Sequence, residues 1–141
     1  VSRRPRLGRS FKPLRRPALW GGLWIAAIAV VVVLSLAPSV PMPDVRSGDK
    51  LGHFLAYFTL AAAAVQLYAR WPALLGAGIG LVLLGIGLEY AQGALTDTRM
   101  QDPADAFANT LGVIVGLSTR LTLFRDALLR WDTRGLGGRG R

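Results

Sequence analysis

The sequence is poor in several things at once. Its 141 residues include no cysteine, one histidine, two methionines and only 8 acidic side chains against 17 Lys and Arg. The missing cysteines exclude disulfides and thiolate metal sites, without fixing the compartment. The single histidine, His53, is the one side chain whose ordinary pKa lies near neutrality. Polar side chains are absent altogether from Ile25 to Leu34.

What remains is apolar and basic. The chain is 52% hydrophobic and carries a net charge of +9, with a mean hydropathy of +0.39. Soluble domains seldom combine these. The two are reconciled by segregation, with charges gathered in short stretches between long apolar runs. Four runs approach the roughly 20 residues needed to cross about 30 Å of hydrocarbon. They cover residues 18–37, 51–69, 72–92 and 103–124. Pro38, Pro41 and Pro43 end the first, while Pro72 and Pro103 suit the first turns of the third and fourth. The expected fold is all-α, a membrane-embedded four-helix bundle of up-down topology over 18–124. A basic tail (1–17) precedes it and a basic, Gly-rich tail (125–141) follows. An export signal is the competing reading of Arg3-Arg4 and the first run, with Ser35-Leu36-Ala37 as cleavage triplet. The run is longer than a usual signal core, and Pro38 follows the triplet directly.

Charge then orients the bundle. Arg3, Arg4, Arg6, Arg9, Lys12, Arg15 and Arg16 precede the first run, and Arg70 lies between the second and third. Arg120, Arg125, Arg130, Arg134, Arg139 and Arg141 follow the fourth apolar core, with Asp126 and Asp132. The opposite side carries Arg46, Lys50 and Arg99 against Asp44, Asp49, Glu89, Asp97, Asp102 and Asp105. The positive-inside rule places both termini in the cytoplasm. The basic tails are read as anchors to anionic lipid headgroups, with membrane lipid as partner. No nucleic-acid partner is expected, because no folded or aromatic-interleaved recognition motif accompanies the charge.

Ionisable residues within spans are costly and mark functional sites. Here they lie at the outer ends of three helices. Asp49, His53 and Tyr57 follow at i, i+4, i+8 on the second, with Lys50 beside them. Glu89 and Gln92 are three apart near the end of the third; Asp102, Asp105 and Asn109 line one face of the fourth, and Arg99 precedes it. At about 1.5 Å per residue, His53, Glu89 and Asp105 lie about one turn inside the outer boundary. Gly78 and Gly85 continue the stripe of Glu89, and Gly112 and Gly116 that of Asn109. Such small residues allow close helix approach, within the bundle or in a homo-oligomer through Gly112 and Gly116.

Each of these residues has a plainer reading. Asp49 and Asp102 stand equally well as N-caps. Lys50 can snorkel to the headgroups, and Arg99 can be an ordinary loop charge. Tyr57 suits packing with a polar tip, Gln92 interfacial solvation, and Asn109 a bond between helices. His53, Glu89 and Asp105 are too deep to cap and too short to snorkel. They are the candidates for a shared polar centre and for any catalytic role.

The segment Asp49-Lys50-Leu51-Gly52-His53-Phe54-Leu55-Ala56-Tyr57 resembles the D-K-x-x-H-F-x-x-Y opening of the VanZ-like family. Glu89-Tyr90-Ala91-Gln92 resembles its E-x-x-Q. Arg99, Asp102, Asp105, Asn109, Gly112 and Gly116 resemble its later R…D-x-x-D-x-x-x-N-x-x-G-x-x-x-G run, and Ser35-Leu36-Ala37-Pro38 the end of its first helix. The likeness runs from about Ser35 to Leu117 and leaves out the Arg-rich tails. It implies a multi-pass protein of the bacterial inner membrane, in a family named for resistance to the glycopeptide antibiotic teicoplanin.

Two functions are expected of such a pocket. One is recognition of an envelope lipid, a lipid-linked cell-wall precursor or a lipoglycopeptide, using Asp49, Lys50, His53, Tyr57, Glu89, Gln92, Arg99, Asp102, Asp105 and Asn109. The other is a small membrane enzyme acting on an envelope lipid or glycan. In it His53 serves as acid or base beside the Glu89–Asp105 carboxylate pair, with Lys50 and Arg99 holding a phosphate. No cofactor is expected. No dedicated metal motif is present, so no metal is expected either; His53 with Glu89, Asp102 or Asp105 is the lesser alternative.

Overall fold

The structure, a computed structural model, describes residues 10–37, 46–95 and 101–134. These are helical, with no strand among them. Five helices follow in order: α1 (Pro17–Leu36), α2 (Arg46–Leu67), α3 (Trp71–Leu95), α4 (Pro103–Ser118) and α5 (Ala127–Arg134). Two 3₁₀ turns, Thr119–Leu121 and Leu123–Asp126, separate α4 from α5.

The helices start and stop for local reasons. Pro17 and Pro103 occupy first turns, where a missing N–H costs nothing. Asp102 caps α4, its Oδ1 accepting from Ala104 N at 2.9 Å. The second helix begins at Arg46 rather than at residue 51, because its first turn needs no apolar residue. Asp49 therefore lies inside that turn, where its charge suits the positive end of the helix dipole. The fourth ends at Ser118, short of residue 124. There Ser118 Oγ and Thr119 Oγ1 donate back to the carbonyls of Val115 and Gly116 at 2.6 and 2.7 Å. Such bonds compete with continued helix.

Of these helices, α1 and α3 are long and apolar enough to cross a membrane. The α4 segment becomes a third if it is counted together with the piece beyond its 79° bend. At 22 residues α2 has the length, but Asp49, Lys50, His53 and Gln66 dilute its apolar character.

Burial is inverted relative to a water-soluble domain. Glu89, Gln92, Asp105 and Asn109 are buried, while Leu23, Val33, Ile79, Leu83, Phe107 and Ile114 are exposed. Water would drive the second set inward; hydrocarbon does not. The core is small. Tyr57, Leu60, Ala61, Leu81 and Val113 form one cluster, flanked by Trp24, Ile28 and Val31 of α1. Ala64, Val65 and Leu74 form a second. Trp24 Nε1 also donates to Leu60 O at 2.9 Å. A bond of this kind between membrane helices contributes about 0.6 kcal/mol, so the apolar packing around it does more to hold α1.

The tightest contact is α4 on α2. A Cβ built at Gly112 would collide with the carbonyl oxygen of Phe54, and one at Gly116 would stand 2.5 Å from Phe58 O and 2.7 Å from Ala61 Cβ. The smooth face of Gly112 and Gly116 is thus covered by α2 of the same chain. That is where the close approach is made, and no second copy is needed to explain these glycines.

The basic end is more ordered than a tail. Lys12 N donates to Leu67 O at 2.7 Å, and Ala69 N to Ser10 O at 2.8 Å. Lys12 Nζ lies 2.9 Å from Asp126 Oδ1. The helix α5 falls inside the segment expected as a basic tail from residue 125. Asp132 explains its docking: its carboxylate accepts from Arg15 N at 2.5 Å and from Trp20 Nε1 at 3.1 Å. Gln66 closes the same end, donating to Phe124 O at 2.9 Å and accepting from Leu128 N at 3.0 Å. Residues 135–141 lie outside the described residues.

Replacing Gly112 by Ala forces a methyl group into the α2 backbone and is expected to cost about 1–3 kcal/mol. The thermal unfolding of detergent-purified protein should drop by several degrees. Gly80, with nothing within 4 Å of an added Cβ, should accept Ala without loss. Equal melting of the two variants would remove the α2–α4 contact as the organising one.

Candidate functional site

The polar residues expected at the outer ends of the helices gather at one end of the structure. They do so because the first turns of α2 and α4 adjoin the last turns of α1 and α3. Lys50 spans the α2–α4 gap, its Nζ 2.6 Å from Asp102 Oδ2 and 3.0 Å from Asp105 Oδ1. Asp102 is both cap and site: one oxygen caps α4 while the other takes the ammonium. Its main-chain N–H donates to Glu89 Oε2 at 3.3 Å, joining α3 to the group.

His53 sits one turn deeper. Its Nδ1 lies 3.1 Å from Asn109 Oδ1. The contact is a hydrogen bond in the tautomer that carries its proton on Nδ1, which orients the ring. The far nitrogen, Nε2, faces Asp105 Oδ2 at 3.7 Å and Asp49 Oδ1 at 3.9 Å. Both distances exceed hydrogen-bond length. The side chains of His53 and Asp105 retain 12% and 10% exposure, while that of Asp49 is 62% exposed. The cluster therefore runs from an enclosed floor to an open rim.

Room for this arrangement comes from a glycine. A Cβ at Gly85 would stand 3.2 Å from Asn109 Nδ2 and 3.3 Å from the Tyr57 ring. The absent side chain lets Asn109 and Tyr57 lie against α3. Tyr57 is almost wholly enclosed, at 1% exposure, and its hydroxyl has no hydrogen-bond partner among the described residues. Gln92, also buried, donates to Ser35 O at 2.8 Å and ties α3 to the end of α1.

Beside the cluster, between α1 and α2, runs an open cleft of about 230 Å³. Val31, Leu34 and Ser35 form one wall, and Asp49, Gly52, His53, Ala56 and Tyr57 the other. It is apolar at Val31, Leu34 and Ala56 and polar at Asp49 and His53.

Of the residues expected to meet, His53 and Asp105 face each other directly, with Asn109, Lys50, Asp102 and Asp49 around them. Glu89 joins through the Asp102 main chain, and its carboxylate lies close enough to Asp105 and His53 to feel both charges. Tyr57 and Gln92 lie on the adjoining faces. Arg99 lies outside the described residues. The α1 wall of the cleft was not singled out from the sequence. Val31 and Leu34 belong to an uninterrupted apolar run, in which spacing cannot tell a cleft-lining residue from a lipid-facing one. Ser35 was the available signal, a hydroxyl at the end of that run.

These features define a class: an all-helical protein with two or three helices able to cross a membrane, whose partly buried ion cluster adjoins a half-apolar cleft. Compared with known proteins, the chain matches no family model, no curated protein and no solved structure.

Replacing Lys50 by Met leaves two carboxylates of α4 without their cation. The variant is expected to melt at a modestly lower temperature, because the Lys50 side chain is 43% exposed and solvent screens its ion pairs. Adding Asp105→Asn should restore part of the lost melting temperature. Thermal denaturation of the two variants checks this, and an unchanged Lys50→Met midpoint would show that the pairing is not a stabilising link.

Proposed function

We propose that the chain is a four-span protein of the bacterial cytoplasmic membrane, with both termini in the cytoplasm. The cleft between α1 and α2 receives an envelope amphiphile from the outer face. The observation that carries this reading is the cleft's division. Val31, Leu34 and Ala56 offer an apolar bed for an acyl chain, and Asp49 and His53 offer polar contacts to a headgroup. Lipids, lipid-linked wall precursors and lipoglycopeptides share that two-part chemistry. The apolar outer surfaces of α1, α3 and α4 and the basic residues around α5 support the membrane orientation. The residues that resemble VanZ-like motifs are largely those that converge here: Asp49, Lys50, His53, Tyr57, Glu89, Gln92, Asp102, Asp105 and Asn109. That convergence supports membership of the family, and with it a link to glycopeptide resistance.

A second reading, an enzyme acting on the same amphiphile, is favoured by His53. Its ring is oriented by Asn109, and its free nitrogen points toward two carboxylates. That is an arrangement suited to moving a proton.

Orientation is testable because the chain lacks native cysteine. Single cysteines at Ser2 and Gly140 should resist a membrane-impermeant maleimide in intact cells, whereas one at Ser47 should react. Reaction at either terminus would reverse or break the topology.

The cleft is tested by native mass spectrometry of detergent-purified protein. Wild type should retain an amphiphile. Gly52→Phe should lose it, since nothing lies within 4 Å of a Cβ there and the ring would fill the cleft without a clash at its root. Retention of the same mass by Gly52→Phe would place the ligand elsewhere. Intact ligand on His53→Ala, with a shortened product on wild type, would select the enzymatic reading.

A further inference from the structure

We infer that Asp49, His53 and Asp105 form a binding site for a divalent transition-metal ion at the wall of the cleft. This inference stands on the cluster's geometry and does not depend on what fills the cleft. One imidazole nitrogen and two carboxylate oxygens, one from each residue, all lie within 4.8 Å of one another. The nitrogen is 3.7 and 3.9 Å from the two oxygens. These gaps are too long for hydrogen bonds and too short for a layer of intervening protein. Ligands held about 2.0–2.2 Å from a common ion stand roughly 3–3.5 Å apart. The two nitrogen–oxygen gaps need to close by a few tenths of an ångström and the carboxylate–carboxylate separation, up to 4.8 Å, by more than one, a movement that rotation of the exposed Asp49 side chain supplies.

The elements present these donors together. Asp49 and His53 are four residues apart on α2 and share its face; Asp105 comes from the first turn of α4. The outer contacts also suit a metal. His53 Nδ1 lies 3.1 Å from Asn109 Oδ1, and in the tautomer protonated there the Nε2 lone pair is available for an ion. Lys50 holds Oδ1 of Asp105, so that Oδ2 is turned toward His53. Partners of this kind orient metal ligands and raise affinity. Among the described residues, Asp49, Asp102, Asp105 and Glu89 surround Lys50.

A buried phenol lies one turn deeper. Tyr57 lies one turn beyond His53 and lines the same cleft as Asp49 and His53. It is 1% exposed, and its hydroxyl has no partner within the described residues. A buried phenol without a hydrogen bond is costly.

The donor set selects the kind of ion. One nitrogen and two carboxylates suit zinc, manganese or iron(II). Magnesium and calcium prefer oxygen alone, and copper(I) prefers sulfur. Three ligands from the chain leave positions for exogenous oxygens, and Asp49 and His53 set those positions beside the cleft. The sequence offers His53 with Asp105 as a lesser metal alternative, because these ligands follow no dedicated spacing. The site draws on Asp49, which the sequence offers equally as cap and as site residue, and not on Glu89.

The experiment uses the full chain in detergent, stripped with chelator and titrated with Zn²⁺ alone, with Co²⁺ as a visible-absorption probe. About one equivalent is expected to bind at micromolar concentration or below, with Co²⁺ bands that Zn²⁺ abolishes. Asp49→Asn and His53→Ala should each weaken binding at least tenfold, and Asp126→Asn at the opposite end should leave it unchanged. Because Asp49 is exposed, Asp49→Asn retains the fold and keeps the test decisive even if His53→Ala does not. Binding well below one equivalent, or affinity that Asp49→Asn leaves intact, overturns the site. No amphiphile enters the measurement, so its outcome is separate from that of the cleft.

Discussion

The backbone of α4 rests directly on the backbone of α2, and the other features of the polar end follow from that contact. At Gly112 and Gly116 there is no space for even a methyl group. Two helices this close bring their first turns into register. The short reach from Lys50 to Asp102 and Asp105, and from His53 to Asn109, then becomes available. In hydrocarbon no hydrophobic force draws helices together, so close packing and internal polar bonds must do it. Small residues supply the first and the ion cluster supplies the second, on the same pair of helices.

The same constraint explains why charged groups sit where they are buried. A carboxylate facing lipid would have no partner, whereas within the chain each finds one. Asp102 caps α4, takes the Lys50 ammonium and offers its own N–H to Glu89. Asp105 divides its oxygens between Lys50 and the space before His53. Tyr57 is the exception: an enclosed hydroxyl with no partner, beside a cleft that opens outward. Saturated bonds on one side of the cluster and unsatisfied groups on the cleft side give the site a direction. It faces α1.

The opposite end follows a different logic. There the chain doubles back through a 79° bend, and the bonds of Lys12, Gln66, Arg120 and Asp132 stitch the segment before α1, the α2–α3 link and α5 together. Arg120 donates to Ala69 O at 2.8 Å and lies 4.6 Å over the Trp71 ring. Leu121, Leu123, Phe124 and Trp131 remain exposed nearby. Basic and aromatic groups mixed in this way suit the boundary between headgroups and hydrocarbon, and they make this end a platform for the bundle.

Helical character, the apolar runs behind α1 and α3, and the set of polar residues worth examining were all legible in the sequence. Each depends on local chemistry: run length, proline position, and the cost of an ionisable group within an apolar stretch. The stripes also marked the faces on which Asn109, Gly112 and Gly116 pack. Helix ends were less legible. Arg46 begins α2 although it is charged, and Ser118 ends α4 through hydroxyl bonds that composition does not announce. The tertiary structure alone decided that Gly112 and Gly116 meet α2, that Glu89 reaches the cluster through a main-chain N–H, and that the cleft runs along α1. It alone set Asp49 beside Asp105. These are relations between segments dozens of residues apart, fixed by how closely backbones approach, and no pattern within one helix encodes that distance.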